Sequence, residues 1–160
     1  CIRDSFSMND VAITLFALER HEEAVAQYQA ALDILDSSGA EPSSLERAIH
    51  FSMGRALIAL ERFDEAVERM TTANEQSDLL FGPEHHNTAT MRWGLGLALT
   101  GAGRFEEAET ALEAAWAIRE STFGEDSSQC VQVAEAFVEL YEAWAREDEA
   151  ARWRARSADG

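Results

Sequence analysis

The sequence contains no lysine. All 13 of its basic residues are arginine, set against 30 acidic ones, for a formal net charge of -17. So acidic a surface repels phosphate, which disfavours nucleic acid as a partner, and it repels anionic membranes for the same reason. Cysteine is almost absent. Cys1 and Cys130 form no CxxC pair and have no histidine at ligand spacing, so they support neither a zinc site nor a disulfide framework and read as free thiols. No apolar run approaches the ~20 residues of a membrane span, and no charged-then-apolar leader opens the chain. A cytoplasmic protein is the expectation. Because the chain starts at Cys1 rather than Met, it is also expected to be an excerpt of something longer. What is present is the composition of a folded domain: 46% of the residues are hydrophobic.

The chain repeats. Glu19-Arg20-His21-Glu22-Glu23-Ala24 is echoed by Glu61-Arg62-Phe63-Asp64-Glu65-Ala66, by Gly103-Arg104-Phe105-Glu106-Glu107-Ala108 and by Ala145-Arg146-Glu147-Asp148-Glu149-Ala150. The four arginines are each 42 residues apart. Upstream of them lie apolar pairs at i, i+4 (Val11 and Leu15, Met53 and Leu57, Leu95 and Leu99, Phe137 and Tyr141), which share a helix face. A small residue intervenes in three repeats, Ala12, Gly54 and Gly96, and lets a neighbouring helix approach closely. Downstream, Ala24, Tyr28 and Ala31, then Ala66, Met70 and Ala73, then Ala108, Leu112 and Ala115 mark the apolar face of a second helix. Breakers follow at Ser37-Ser38-Gly39-Ala40-Glu41-Pro42, Phe81-Gly82-Pro83-Glu84 and Phe123-Gly124-Glu125-Asp126. No useful strand-like alternation occurs, so the expected fold is all-α. It is one domain over 1–160, with repeats at about 5–46, 47–88, 89–130 and 131–160.

The run Leu95-Gly96, Leu99, Gly103, Phe105, Ala108, Leu112 and Ala115 resembles the tetratricopeptide repeat. The interval of 42 and the segment Phe81-Gly82-Pro83-Glu84-His85-His86-Asn87-Thr88-Ala89 are similar to its kinesin-light-chain type. The resemblance implies a right-handed superhelix of four helical hairpins. It also implies a concave groove, lined by the first helices, that binds a protein or peptide segment. Departures are His86-Asn87 in place of Pro-Asp, Arg92 at a normally apolar position, Glu147 for the aromatic of the turn, and Arg154 in the last repeat, which suits a terminal repeat with a wet face. The paired asparagines that the type commonly uses to hold a ligand's backbone survive only as Asn9.

The first helices carry a second stripe, in which the groove is expected. It runs Asn9, Ile13 and Phe16, then Phe51, Arg55 and Ile58, then Trp93 and Leu97, then Glu135 and Glu139 with Glu142 beyond. Phe51 and Trp93 suit aromatic anchors, Arg55 a polar handle, and the glutamates a basic residue of the partner. The same aromatics would equally fill space between first helices. No chemistry competes with binding. His85-His86 lack metal-ligand spacing, and Gly94-Leu95-Gly96 follow no strand. The acidic pairs after each arginine suit helix N-termini. An enzyme, a metal and a cofactor are all unexpected. In a lysine-free, Ala- and Arg-rich chain the composition suggests a high-GC bacterium, where repeats of this type resemble parts of Ser/Thr kinases and signalling regulators. The alternative is a self-assembly or intramolecular packing module that uses the apolar surface of Phe6, Met8 and Val11 on an uncapped first repeat.

Overall fold

The computed structural model describes residues 2–37 and 43–158, with side chains over 4–37 and 43–157; Cys1 and the breaker residues 38–42 lie outside them. Among the described residues eight helices follow one another: α1 (Ile2–Ala17), α2 (His21–Ser37), α3 (Ser44–Ala59), α4 (Phe63–Phe81), α5 (His86–Gly101), α6 (Phe105–Phe123), α7 (Ser128–Ala143) and α8 (Glu147–Ala158). Each helix packs on its neighbours in sequence. The first helices of successive hairpins also touch one another, α1 on α3, α3 on α5 and α5 on α7, whereas the second helices stand apart. A layer whose members touch is the inner arc and a splayed layer the outer one, so the hairpins form an all-α superhelix with a continuous stacked core.

The turn inside each hairpin shows how this sequence makes the fold. The amide of each repeat arginine donates to a carbonyl five residues back: Arg20 to Leu15, Arg62 to Leu57 and Arg104 to Leu99, all at 2.9 Å, and Arg146 to Tyr141 at 2.8 Å. The preceding residue donates three residues back, Glu61 to Ile58 at 2.9 Å for example. These paired bonds satisfy the orphan carbonyls of the first helix and force the residue before the arginine into the left-handed region. Its φ is 58° at Glu19 and Glu61, 73° at Gly103 and 56° at Ala145. Only repeat three supplies the glycine that adopts this without a Cβ penalty. The arginine side chain then grips the glutamate three residues on in a two-pronged clasp, Nε and Nη2 of Arg20 on Glu23 at 2.6 Å each. The clasp recurs at Arg62–Glu65 and Arg104–Glu107, and Arg146 holds Glu149 at 2.6 Å. Hydrogen bonding from the guanidinium draws Glu23, Glu65 and Glu107 below the ordinary carboxylate range. The first-turn carboxylates are therefore turn staples as well as partners of the helix dipole.

The expected apolar face of the second helices is buried throughout: Ala24, Ala31, Ala66, Met70, Ala73, Ala108, Leu112 and Ala115 are all 0% exposed and Tyr28 1%. Met70 shows why small residues line the other side. A Cβ on Gly54 would stand 2.9 Å from its Cε, and one on Gly94 3.1 Å from its Sδ. One thioether thus fills the space between its own hairpin and the next. Repeat one differs from the expected stripe. Val11 is 46% exposed where Met53 is 4% and Phe137 1%, since α1 has no hairpin before it among the described residues. The last hairpin closes on aromatics: Trp153 stacks on Phe137 at 4.0 Å and meets Trp116 edge-on at 4.9 Å, while Arg154 pairs with Glu142 and Arg156 with Glu125. Among the described residues, no helix is long and apolar enough to cross a membrane.

Two predictions arise from the core and the turns. Replacing Glu61 by Gly should raise stability by about 1 kcal/mol in urea unfolding, because it removes the Cβ conflict at positive φ; an unchanged midpoint would show that the turn is not strained. The second concerns His50, buried with Nδ1 unpartnered and Nε2 4.0 Å from Glu46. Burial pushes its imidazole from 6.5 down to about 4, with Arg69 adding to the effect and Asp36 opposing it. A folded pKa below the unfolded one favours the neutral form, so stability is full above pH 6.5 and falls as the pH drops toward 4. The wild-type chain should lose about 2–3 kcal/mol over that window that His50→Gln retains.

Candidate functional site

The inner faces of α1, α3, α5 and α7 enclose three adjoining hollows. The first, about 220 Å³, lies between α1 and α3 and is lined by Ile13, Phe16, Tyr28, Ser52 and Arg55. The second, about 260 Å³, shares Phe16 and Arg55 and runs on to Ile58, Trp93 and Leu97. The third, about 350 Å³, shares Ile58, Trp93 and Leu97 and ends at Glu135, Ala136 and Glu139, with Phe63, Thr100, Gly101 and Gln132 around it. The shared walls make one trough across all four repeats. Of the ten stripe residues, Ile13, Phe16, Arg55, Ile58, Trp93, Leu97, Glu135 and Glu139 line it, and Asn9 and Phe51 do not.

Phe51 is turned into the stack. Its ring lies on the backbone of α5, with Cε2 2.6 Å from where a Cβ of Gly94 would be. It fills space between first helices, the second of the two roles the sequence left open for it. Trp93 divides its faces. Its indole Nε1 donates to the carbonyl of Gln132 at 3.3 Å, and the guanidinium of Arg119 sits 5.5 Å from its ring centroid. Arg119 is itself only 3% exposed and donates to the Gln129 carbonyl at 2.6 Å. Trp93 therefore stands in the trough as a half-buried ring fixed from behind. The stripe pattern could not find Arg119 or Gln132, because both lie off it. The available signal was a charged residue in a column that reads Leu35 and Ser77 in the earlier repeats.

Charge is distributed along the trough. Arg55 lies over the Phe16 ring at 5.1 Å. At the other end Glu139 is raised above the ordinary carboxylate range, first by burial and then by the like charges of Glu135 and Glu142. Arg154 pairs with Glu142; among the described residues no cation reaches Glu135 or Glu139. The histidine pair has a structural place: His85 caps α5, its Nδ1 accepting from the Asn87 amide at 3.1 Å, and stacks on Phe81 at 5.0 Å. Cys130 is buried in the first turn of α7, and no group of three or more metal-binding side chains converges among the described residues.

Tetratricopeptide repeat profiles match residues 44–121 and 7–35. The chain belongs to the tetratricopeptide repeat family. Its 42-residue repeat interval is similar to that of the kinesin-light-chain type. The fold is shared with solved structures of low sequence identity. Kinesin light chain nearly identical TPR-like repeats from Podosopora anserina superpose with a TM-score of 0.83 at 19% identity, over 98% of this chain and 74% of that one. BtubC (BKLC) from P. vanneervenii gives 0.77 at 21%, over 94% of this chain and 59% of its own. A Rap protein complexed with competence and sporulation factor gives 0.79 at 19%, over 99% of this chain and 42% of its own. This tetratricopeptide chain thus spans little more than half of BtubC and less than half of Rap. No curated protein matches it significantly.

Glu139→Gln tests the acidic end of the trough. A carboxylate with a raised folded pKa costs stability above that pKa, and the cost disappears as pH falls toward its unfolded value. The variant should unfold at higher urea than wild type at pH 7, by about 0.5 kcal/mol, and the gap should close in acid. Equal stability at pH 7 would mean that solvent screens the repulsion.

Proposed function

We propose that this chain is a non-catalytic interaction module that takes a protein or peptide segment along the concave trough, as the scaffold or sensor part of a cytoplasmic bacterial signalling protein. Tetratricopeptide repeats serve protein–protein interaction, and the observation that carries the finer reading is the continuity of the three hollows from Ile13 to Glu139. Their apolar floor suits aliphatic or aromatic anchors, with Trp93 the strongest contributor because it is rigid and half-buried. Arg55 and the unpaired Glu135 and Glu139 set a direction: an acidic residue of the ligand near repeat two and a basic one near repeat four. The Rap protein complexed with competence and sporulation factor has a similar fold, which is in keeping with a binding role.

Self-assembly through the first repeat has less support. The columns that are Ile49, Ser52 and Ala56 in repeat two, and Met91, Gly94 and Ala98 in repeat three, are Ser7, Asp10 and Thr14 in α1. A polar face is a poor surface for stacking another hairpin, although Leu18 beside it is 61% exposed.

Selection of peptides from a random display library against the 160-residue chain tests the groove. Leu97→Asp places a charge on the shared wall of two hollows and should weaken selected peptides at least tenfold while leaving the helical content unchanged. Glu135→Gln with Glu139→Gln should weaken those carrying a basic residue, more at low than at high salt. Peptides indifferent to Leu97→Asp would overturn the reading.

A further inference from the structure

The outer layer has a cleft of its own on the face opposite the trough. In the splayed layer, the gap between successive second helices must be filled by side chains, and the repeat register shows how. In repeat four the filler is Trp153, stacked on Phe137 of α7 at 4.0 Å and edge-on to Trp116 of α6 at 4.9 Å. Arg156 one turn on lies 5.0 Å from the Trp153 ring. In repeat two the same column holds Arg69, whose Nη2 donates to Gln29 of α2 at 3.2 Å. In repeat three the column holds Ala111, and the counterparts of Phe137 and Trp116 are Leu95 and Asn74. The result is an open cleft of about 490 Å³, with Leu95, Leu99, Ala111 and Ala114 as its apolar lining and Asn74, Arg92, Glu106, Glu107 and Thr110 around them.

We infer that this cleft is a docking socket for a tryptophan side chain of a partner protein, flanked in that partner by a basic residue. The chain supplies the template itself. Where the register puts an indole into this position, the indole stacks on column-mates of Leu95 and Asn74 and carries an arginine beside it. A planar ring packs on the apolar lining of two leucines and two alanines and buries more area there than an aliphatic chain does. The indole N–H faces a rim of oxygen acceptors on Thr110 and Glu106. Of the charged residues around the cleft, Arg92 is held by Asp78 at 3.2 Å and Glu107 by Arg104, which leaves Glu106 with no cationic partner among the described residues, and it supplies the complement to the partner's basic residue. The socket lies on α4, α5 and α6 away from the concave trough, so the two sites stand or fall separately.

The test uses the 160-residue chain with labelled Leu and Ala methyls and capped Trp-Arg and Trp-Glu dipeptides as probes, at the low-millimolar concentrations appropriate to a single anchored side chain. Trp-Arg should shift the Leu95, Leu99 and Ala111 methyls and bind more tightly than Trp-Glu. Ala111→Trp should fill the socket from within, raise the melting temperature and abolish those shifts. Ala111→Arg, which copies repeat two, should also abolish them and covers the case in which the tryptophan variant packs badly. Leu97→Asp in the trough should leave them unchanged. Shifts confined to other methyls, or shifts that survive both Ala111 variants, would overturn the socket. Equal affinity for the two dipeptides would overturn the basic neighbour.

Discussion

Small residues on the face that each first helix turns toward its predecessor govern the whole architecture. Ser52 and Ala56, then Gly94 and Ala98, then Ala136 occupy these positions, with Leu140 where α7 would have its second small residue, and Gly94 lies directly under Phe51 and Met70 of the preceding hairpin. Close approach on this side and not on the other bends the stack, so the inner helices touch while the outer ones splay. Both recesses of the molecule descend from that asymmetry. The trough exists because the inner faces meet at an angle and cannot fill the concavity. The outer cleft exists because the gap between second helices must be filled column by column, and repeat three puts an alanine where its neighbours put Arg69 and Trp153.

Most of the fold was legible in the sequence because it is periodic. A constant 42-residue interval with i, i+4 pairs gives helix, turn and face together, and the buried columns of α2, α4 and α6 follow it without exception. The clasps between each arginine and the glutamate three residues on were visible only as acidic helix starts, because composition reports a charge but not which neighbour it grips. Repeat one broke the pattern at Val11 for a reason periodicity cannot express: burial of that column depends on the hairpin before it.

The site was less legible than the fold. Eight of the ten stripe residues border the trough, since side chains at i and i+4 share a face whatever they touch. Phe51 and Trp93 fall in one column and yet do different things. The difference lies in their neighbours: the Phe51 ring lies against Gly94, whereas Trp93 shares a hollow with Ala136 of α7 and is tied to Gln132 and Arg119. A one-dimensional register holds no information about such partners when they sit off the stripe. The outer cleft, by contrast, is readable from the register once its function as a filler column is known.

The arginine clasps have one more consequence. A two-pronged grip on a carboxylate needs the planar fork of a guanidinium, and a lysine amine cannot reproduce it. A chain that makes its turns this way, and has no lysine anywhere, offers no side-chain amine to acetylation or ubiquitin conjugation. Its hairpin angles are beyond the reach of the lysine acylation that loosens ion pairs elsewhere. Modification of these turns has to act on the guanidinium or the carboxylate itself, as arginine methylation does when it blocks the two-pronged bond.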